Sequence, residues 1–303
     1  MEILKNTDPV LVVGEGNAIA TTAICLLKAG HELTVVTPNA DDFRARLNQY
    51  PQLESTNRLT VTDTYGDHTN VKLAVAITPE NVQIKKDFLQ QLAGLVGSEA
   101  IIAINTGSIA LNMLVGDLKN STRVIGLNWT EPVHTTYFLE VIAGDDTAAA
   151  DDVIALAKKH WNKDPYQVKN NAIHSRLVSA MAREASFLVD NGYASVEDID
   201  RACRNDAGYY LPFCGNCRYM DLMGTYAYGM VMKDLNPDLS KDSQIPYFMQ
   251  QLIKDGGGGM QNQKGFYNYT QDEVNDWKAV MDKFSYQIQN IIEKYPFNYK
   301  NNH

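Results

Sequence analysis

Short apolar runs without polar alternation recur through the first half of the chain, with helical patterns between them. The runs are residues 10–13, 32–36, 58–62, 71–77, 100–104, 123–127, 138–142 and 166–168. Helical patterns fall at 20–29 (ended by Gly30), about 40–49, 80–95 and 147–160. A strand that is apolar on both sides is covered on both sides, the situation of a parallel sheet with helices on each face. Strands alternating with helices predict a doubly wound, mainly parallel α/β sheet of the Rossmann kind. From about Ser175 the signals become helical, and Leu177, Ala180, Met181, Ala185 and Leu188 recur at three- and four-residue spacing. The shift in pattern divides the chain into 1–170 and an all-α part, 171–303.

Two further helix starts are visible in that second part, at Ser195-Val-Glu-Asp198 and Thr270-Gln-Asp-Glu273. The second opens a stripe of Val274, Trp277, Val280, Met281, Phe284, Ile288 and Ile291. That stripe packs on the core of its own domain or forms a subunit interface. Residues 256–259, four glycines, read as a flexible turn or lid. Residues 208–228 are rich in aromatics and thiols, suiting either a pocket wall or ordinary helical packing.

Composition limits the partners. The 27 basic and 36 acidic residues give a formal charge of −9, against the basic surface of a nonspecific nucleic-acid binder. No apolar run approaches the roughly 18 residues of a membrane helix. The start, MEILKNTDPV, shows no secretory signal, so a cytoplasmic chain with free thiols at Cys25, Cys203, Cys214 and Cys217 is expected. The Cys214-Cys217 pair has no second ligand pair, so no metal site is expected. The Asn120 sequon carries little weight without secretion.

Gly14-Glu15-Gly16 follows the first strand and opens a helix through Asn17 and Ala18, the context a dinucleotide site requires. Two positions depart from the usual pattern. Ile19 stands where a third glycine is usual, which pushes the helix away or shifts the turn. Thr37 stands where an acid usually binds the ribose. Arg44 and Arg46 follow, so a 2′-phosphate is accommodated and NADP stands beside NAD; Asp41 or Asp42 offers an acid for NAD.

After residue 70 several motifs arrive in order. They include Thr78-Pro79-Glu80 with Lys85, Asn105-Thr-Gly107-Ser108, Asn128-Trp-Thr-Glu131-Pro132-Val-His134 and Phe138-Leu-Glu140. His174-Ser175-Arg176, Met220-Asp221 and Lys264-Gly265-Phe266-Tyr267 continue the series. Across almost the whole chain this resembles the L-3-hydroxyacyl-CoA dehydrogenase superfamily, lambda-crystallin-type hydroxyacid dehydrogenases included. The resemblance implies a Rossmann domain and a helical dimerising domain like the C-terminal part of 6-phosphogluconate dehydrogenase. It also implies a homodimer, an active site in the cleft between the domains, and NAD-linked oxidation of a hydroxyl. It adds Thr78, Pro79, Glu80, Lys85, Asn105 and Gly107 to the expected cofactor contacts.

Removing hydride from an alcohol carbon requires a base for the hydroxyl proton, and a histidine oriented by a carboxylate suits that task. The family histidine falls on Asn128, which has no basic pKa. Its orienting carboxylate is kept as Glu140. The family serine falls on Gly107, the completing asparagine on Ser175, and the asparagine before proline on Glu131. Glu131 is the leading replacement proton carrier; His134 and His174 are weaker candidates. Alternatively Asn128 only hydrogen-bonds the substrate while water carries protons, or catalysis is lost.

Family members that bind acyl-CoA carry a long basic helical excursion between the second and third strands. Here residues 38–57 leave room for one short helix and a turn at Pro51. The expected function is therefore an NAD- or NADP-dependent oxidoreductase acting on a small hydroxy acid or related carbonyl or imine substrate. The alternatives are a catalytically silent nucleotide- or metabolite-binding protein and, third, a 3-hydroxyacyl-CoA dehydrogenase.

Overall fold

The computed structural model describes residues 4–50, 57–116, 118, 121–146 and 148–295. The turn at Pro51, the Asn120 sequon and the first residue of the 147–160 helical pattern lie outside them. The chain divides into two compact units, Met1–Arg176 and Leu177–His303.

The first unit is built on eight strands: β1 (Val10–Gly14), β2 (Leu33–Val36), β3 (Leu59–Thr62), β4 (Leu73–Ile77), β5 (Ile101–Asn105), β6 (Val124–Asn128), β7 (Phe138–Ala143) and β8 (Asp164–Lys169). They form one sheet in the order β3-β2-β1-β4-β5-β6-β7-β8. Every neighbouring pair is parallel except β6 and β7. The order reverses between β1 and β4, creating a crevice at the carboxyl ends of the strands. Five helices accompany the sheet: α1 (Asn17–Ala29), α2 (Ala40–Leu47), α3 (Val82–Leu95), α4 (Leu111–Val115) and α5 (Ala148–His160).

The apolar runs are buried on both faces. Val10, Val12, Leu33, Val35, Leu73 and Val75 join one cluster with α1 and α5, while Leu11, Val13, Ala74 and Ala76 join another with α3. Ile19 is 1% exposed and belongs to the first cluster, so α1 carries a branched side chain where a third glycine was absent.

The chain passes into the second unit along α6 (His174–Asp190) and continues as α7 (Val196–Ala202), α8 (Gly208–Met223), α9 (Thr225–Leu235), α10 (Tyr247–Lys254) and α11 (Gln271–Lys294). Ser195 and Thr270 each form the reciprocal capping box that the sequence implied. Gly215, at φ +68, kinks α8, and Tyr210 stacks on Tyr219 with centroids 3.8 Å apart. The aromatic segment is thus partly folded on itself, while Tyr209 and Tyr226 remain exposed.

Two expectations change here. The α11 stripe is not core: only Val274 of it is buried, and Trp277, Val280, Met281, Phe284 and Ile291 are exposed. The glycine run is a braced loop. Asn262 accepts from Gly258 N (3.0 Å) and donates to Gly256 O (2.6 Å), and Lys264 Nζ donates to Asp255 O (2.7 Å).

Candidate active site

The glycine turn combines tight packing with open space. Gly14 sits at φ +146, in register with Ile77, and a Cβ there would stand 2.0 Å from the Ile77 carbonyl oxygen. Gly16 is the N-cap of α1 at φ +86, where only glycine is comfortable. A Cβ on it would meet nothing within 4 Å, and no side chain caps the first N–H groups of α1. Uncapped helix-start amides facing open space suit a pyrophosphate. The turn therefore fits a dinucleotide, with Glu15, Gly16 and Asn17 exposed beside it.

Thr37 is buried past the end of β2, its N–H donating to Thr62 O at 3.0 Å. Arg44 and Arg46 are already paired with Asp41 (3.5 Å) and Asp42 (2.7 Å), one helical turn back. The cations and the acids that were candidates for the ribose end thus face each other across one helical turn.

At the ends of β4 and β5 the expected cofactor residues form a scaffold. Lys85 is 0% exposed; its Nζ donates to Thr78 Oγ1 (3.1 Å) and Asn105 O (2.5 Å) and pairs with Glu80 Oε2 (3.0 Å). Burial lowers the Lys85 pKa and Glu80 opposes the shift. The other oxygen of Glu80 accepts from Gly107 N (3.0 Å), Ser108 N (2.7 Å), Ser108 Oγ (2.9 Å) and Ile109 N (3.1 Å). Burial works against the charge on Glu80, but these N–H groups and the Lys85 ammonium outweigh it and pull its pKa to about 2. Glu80 thereby shapes the 106–109 loop, and Lys85 holds the strand ends from inside. Pro79 remains exposed.

Beside this scaffold lies a cavity of about 120 Å³, lined by residues that include Ala18, Glu80, Asn105, Gly107, Asn128 and Glu131. It sits over the strands on the second-half side of the switch point, next to the start of α1. Asn128 ends β6, opposite Glu140 on β7. Asn128 Nδ2 donates to Glu140 Oε2 at 2.8 Å. Glu140, 0% exposed, also accepts on Oε1 from Tyr166 OH (2.9 Å), Ile173 N (2.9 Å) and His174 N (3.0 Å). Burial raises the Tyr166 pKa well above its ordinary value, with Glu140 adding to the shift, so the phenol keeps its proton.

Glu131 points toward the glycine turn, accepting from Asn17 Nδ2 at 2.7 Å. The loop behind it is held by Lys163, whose ammonium donates to the carbonyls of Val133 and Thr136. Ser175 approaches from the start of α6: its Oγ lies 3.0 Å, and Asn128 Oδ1 3.5 Å, from where a Cβ on Gly107 would stand.

The structure therefore gathers Asn128, Glu131, Glu140, Ser175, Gly107, Asn105 and Glu80 around one end of the sheet. His134 instead stacks edge-on against Tyr50 at 4.7 Å, and burial, with Lys28 and Lys163, lowers its pKa to about 4. The His174 ring lies 4.6 Å from Phe138. Sequence reasoning missed Tyr166, the Asn17–Glu131 bond and the Ile173 and His174 amides. Only the tyrosine in an otherwise short strand was a visible signal. Among the described residues, no group of three His, Cys, Asp or Glu side chains is arranged to hold a metal, and no helix is long and apolar enough to cross a membrane.

Residues 9–171 match the family described as 3-hydroxyacyl-CoA dehydrogenase, NAD binding domain, and residues 173–269 match the C-terminal domain of that family. A 5-formyl-3-hydroxy-2-methylpyridine 4-carboxylate 5-dehydrogenase of Mesorhizobium japonicum is 27% identical over 239 residues, 77% of each chain. The fatty acid oxidation complex subunit alpha of Pseudomonas putida is 30% identical over 246 residues, 79% of this chain but only 33% of that subunit. Among solved structures, a 5-formyl-3-hydroxy-2-methylpyridine 4-carboxylic acid 5-dehydrogenase, described as an NAD+-dependent dismutase, superposes with a TM-score of 0.88 at 24% identity. The match covers 95% of this chain and 99% of that one. The (S)-3-hydroxybutyryl-CoA dehydrogenase of Ralstonia eutropha superposes with a TM-score of 0.69 at 24% identity over 87% and 99% of the two chains. At these identities the two superpositions establish the shared fold.

Proposed function

The chain belongs to the 3-hydroxyacyl-CoA dehydrogenase family, and from that premise we propose an NAD-dependent oxidoreductase that acts on a small hydroxy acid or related carbonyl or imine compound rather than on acyl-CoA. The observation that carries this reading is the uncapped glycine turn standing beside a cavity lined by Asn128 and Glu131. Between β2 and β3 the one described helix is α2, eight residues long, so no long basic excursion covers the first half of the sheet. The pairing of Arg44 and Arg46 with their own helix acids favours NAD over NADP.

Bound NAD supplies the hydride acceptor. Gly14, Gly16 and the first amides of α1 would hold its pyrophosphate, with Glu15, Asn17, Ala18 and Thr37 around the turn. Glu80, Asn105 and Gly107 shape the cavity, while Thr78 and Lys85 support them from behind. Asn128 orients the substrate and has no basic nitrogen to take its proton. Glu131 shares the cavity and takes that role, its carboxylate held by Asn17. Glu140 orients Asn128, and Ser175 Oγ stands 3.0 Å from where a Cβ on Gly107 would be.

Titration with NAD(H) and NADP(H), followed by a substrate panel read at 340 nm, tests the reading. Binding of neither nucleotide overturns it, and turnover of acetoacetyl-CoA overturns the choice of a small substrate. Glu131→Gln should cut kcat; unchanged kinetics would exclude Glu131 as the proton acceptor. Asn128 favours one competing reading, a silent nucleotide- or metabolite-binding protein, which tight binding without turnover would support.

The same proposal includes a homodimer in the cytoplasm. Exposed Trp277, Met281 and Phe284 along α11 supply an apolar face for a second copy. Sedimentation at micromolar concentration tests it, and a monomer throughout would exclude it.

A further inference from the structure

We propose that the substrate oxygen met by Asn128 carries a proton, so that the cavity selects an alcohol or a hydrated aldehyde over the free ketone or aldehyde. This deepens the dehydrogenase reading above and rests on it.

Glu140 sets the orientation of Asn128. Its two oxygens accept four hydrogen bonds, from Tyr166 OH, Ile173 N, His174 N and Asn128 Nδ2. A carboxylate accepts hydrogen bonds and has no donor. It can be met only by the NH2 end of the Asn128 amide. The amide oxygen is therefore turned the other way. It lies 3.5 Å from the position a Gly107 Cβ would take, on the side where both residues line the cavity. An ordinary surface asparagine rotates to offer either end to a ligand. This one is fixed as an acceptor.

Ser175 completes the arrangement. Its Oγ lies 3.0 Å from that same Gly107 position, so a side chain at 107 would crowd it and glycine leaves the gap open. A serine hydroxyl both donates and accepts. On binding, a substrate hydroxyl donates to Asn128 Oδ1 and accepts from Ser175 Oγ, and its single proton turns from Asn128 to Glu131 before hydride leaves. A carbonyl oxygen has no proton to give. It would face Asn128 Oδ1 lone pair to lone pair, leaving that acceptor unpaired. Glu140 is thus a positioning residue acting through Asn128, and Asn128 with Ser175 reads the protonation state of the substrate oxygen.

The test is calorimetric, on the full chain saturated with the hydride-inert analogue tetrahydro-NAD. Matched probes are titrated: 3-hydroxybutyrate, acetoacetate and 3-methoxybutyrate, then glycerate and hydroxypyruvate. Failure of the analogue and of NAD(H) to bind overturns the dehydrogenase reading and is seen before any probe is added. With the analogue bound, the hydroxyl member should bind about tenfold more tightly than its keto partner, or about 1.4 kcal/mol. The methyl ether should lose the same preference. Ser175→Ala should weaken hydroxyl probes severalfold with analogue affinity unchanged. Glu140→Gln provides an NH2 donor that lets the Asn128 amide turn over, so the hydroxyl preference should vanish or invert. A purely structural role for Glu140 would weaken both members equally. Should that variant fail to fold, Asn128→Leu, similar in shape but without the acceptor, should abolish the preference. Keto probes binding as tightly as hydroxyl probes, or no hydroxyl probe binding to the loaded protein, would overturn the proposal.

Discussion

Phe43 on α2 and Phe284 on α11 both sit on the apolar side of an amphipathic helix, yet one is 1% exposed and the other 51%. The contrast extends to their whole units. The described buried hydrophobic residues of the first unit number in the dozens, whereas beyond Arg176 they are Cys214 and Val274. Both units have well-formed helices with capped starts. The difference lies in coverage: the sheet supplies each helix of the first unit with a surface to bury, and the described residues of the second unit form no such sheet. Local helix signals are therefore a poor guide to where a chain stores its stability.

The largest expected effect comes from the polar centre of the well-buried unit. Glu140→Leu leaves Tyr166, Asn128 and two backbone amides without their acceptor, and urea unfolding should show a loss of about 4 kcal/mol or more. A loss near 1 kcal/mol would mean that water replaces the carboxylate easily. Next comes the matched phenylalanine pair. Phe43→Ala should cost about 3–5 kcal/mol. Phe284→Ala should cost under about 1 kcal/mol in dilute solution, rising with protein concentration if a second copy covers α11. Equal costs for the two at all concentrations would erase the distinction between the units.

Acid should act on the first unit in two stages. His134 has its pKa lowered from 6.5 to about 4, so the unfolded chain binds its proton first. Stability present above pH 6.5 is then lost as pH falls toward 4. Glu80 is lowered from 4.5 to about 2, so its contribution is complete above pH 4.5 and lost as pH falls toward 2. Thermal melts across pH should lose the upper stage in His134→Phe and the lower stage in Glu80→Gln. The smallest effect is expected at Arg44, whose partner Asp41 is almost fully exposed. Arg44→Ala should change stability by under about 0.5 kcal/mol and leave NAD affinity intact. A selective loss of NADP affinity in that variant would restore the expected 2′-phosphate patch.

Much of this molecule was legible from spacing. Period-free apolar runs gave the parallel strands, Gly14 and Gly16 gave the turn, and Ser195 and Thr270 gave two helix starts. What spacing did not carry was pairing at long range. Glu140 finds Tyr166, Ile173 and His174 at separations of 26, 33 and 34 residues, and no local pattern announces such a meeting. The resemblance put Lys85 among the expected cofactor contacts. Its burial became visible only once Thr78, Glu80 and Asn105 surrounded it. The α11 stripe was read correctly as amphipathic, but periodicity says which face is apolar and nothing about what covers it. Four glycines suggested a flexible turn or lid, while the bracing comes from Asn262 and Lys264 just downstream.

The amides that Glu140 holds are those of His174, the first residue of α6, and of Ile173 just before it. One side chain thus holds the amides at residues 173 and 174 with one oxygen and sets the ligand-facing amide of Asn128 with the other. A single carboxylate is in this sense the common anchor of the strand end and of the backbone that follows β8, written in four hydrogen bonds.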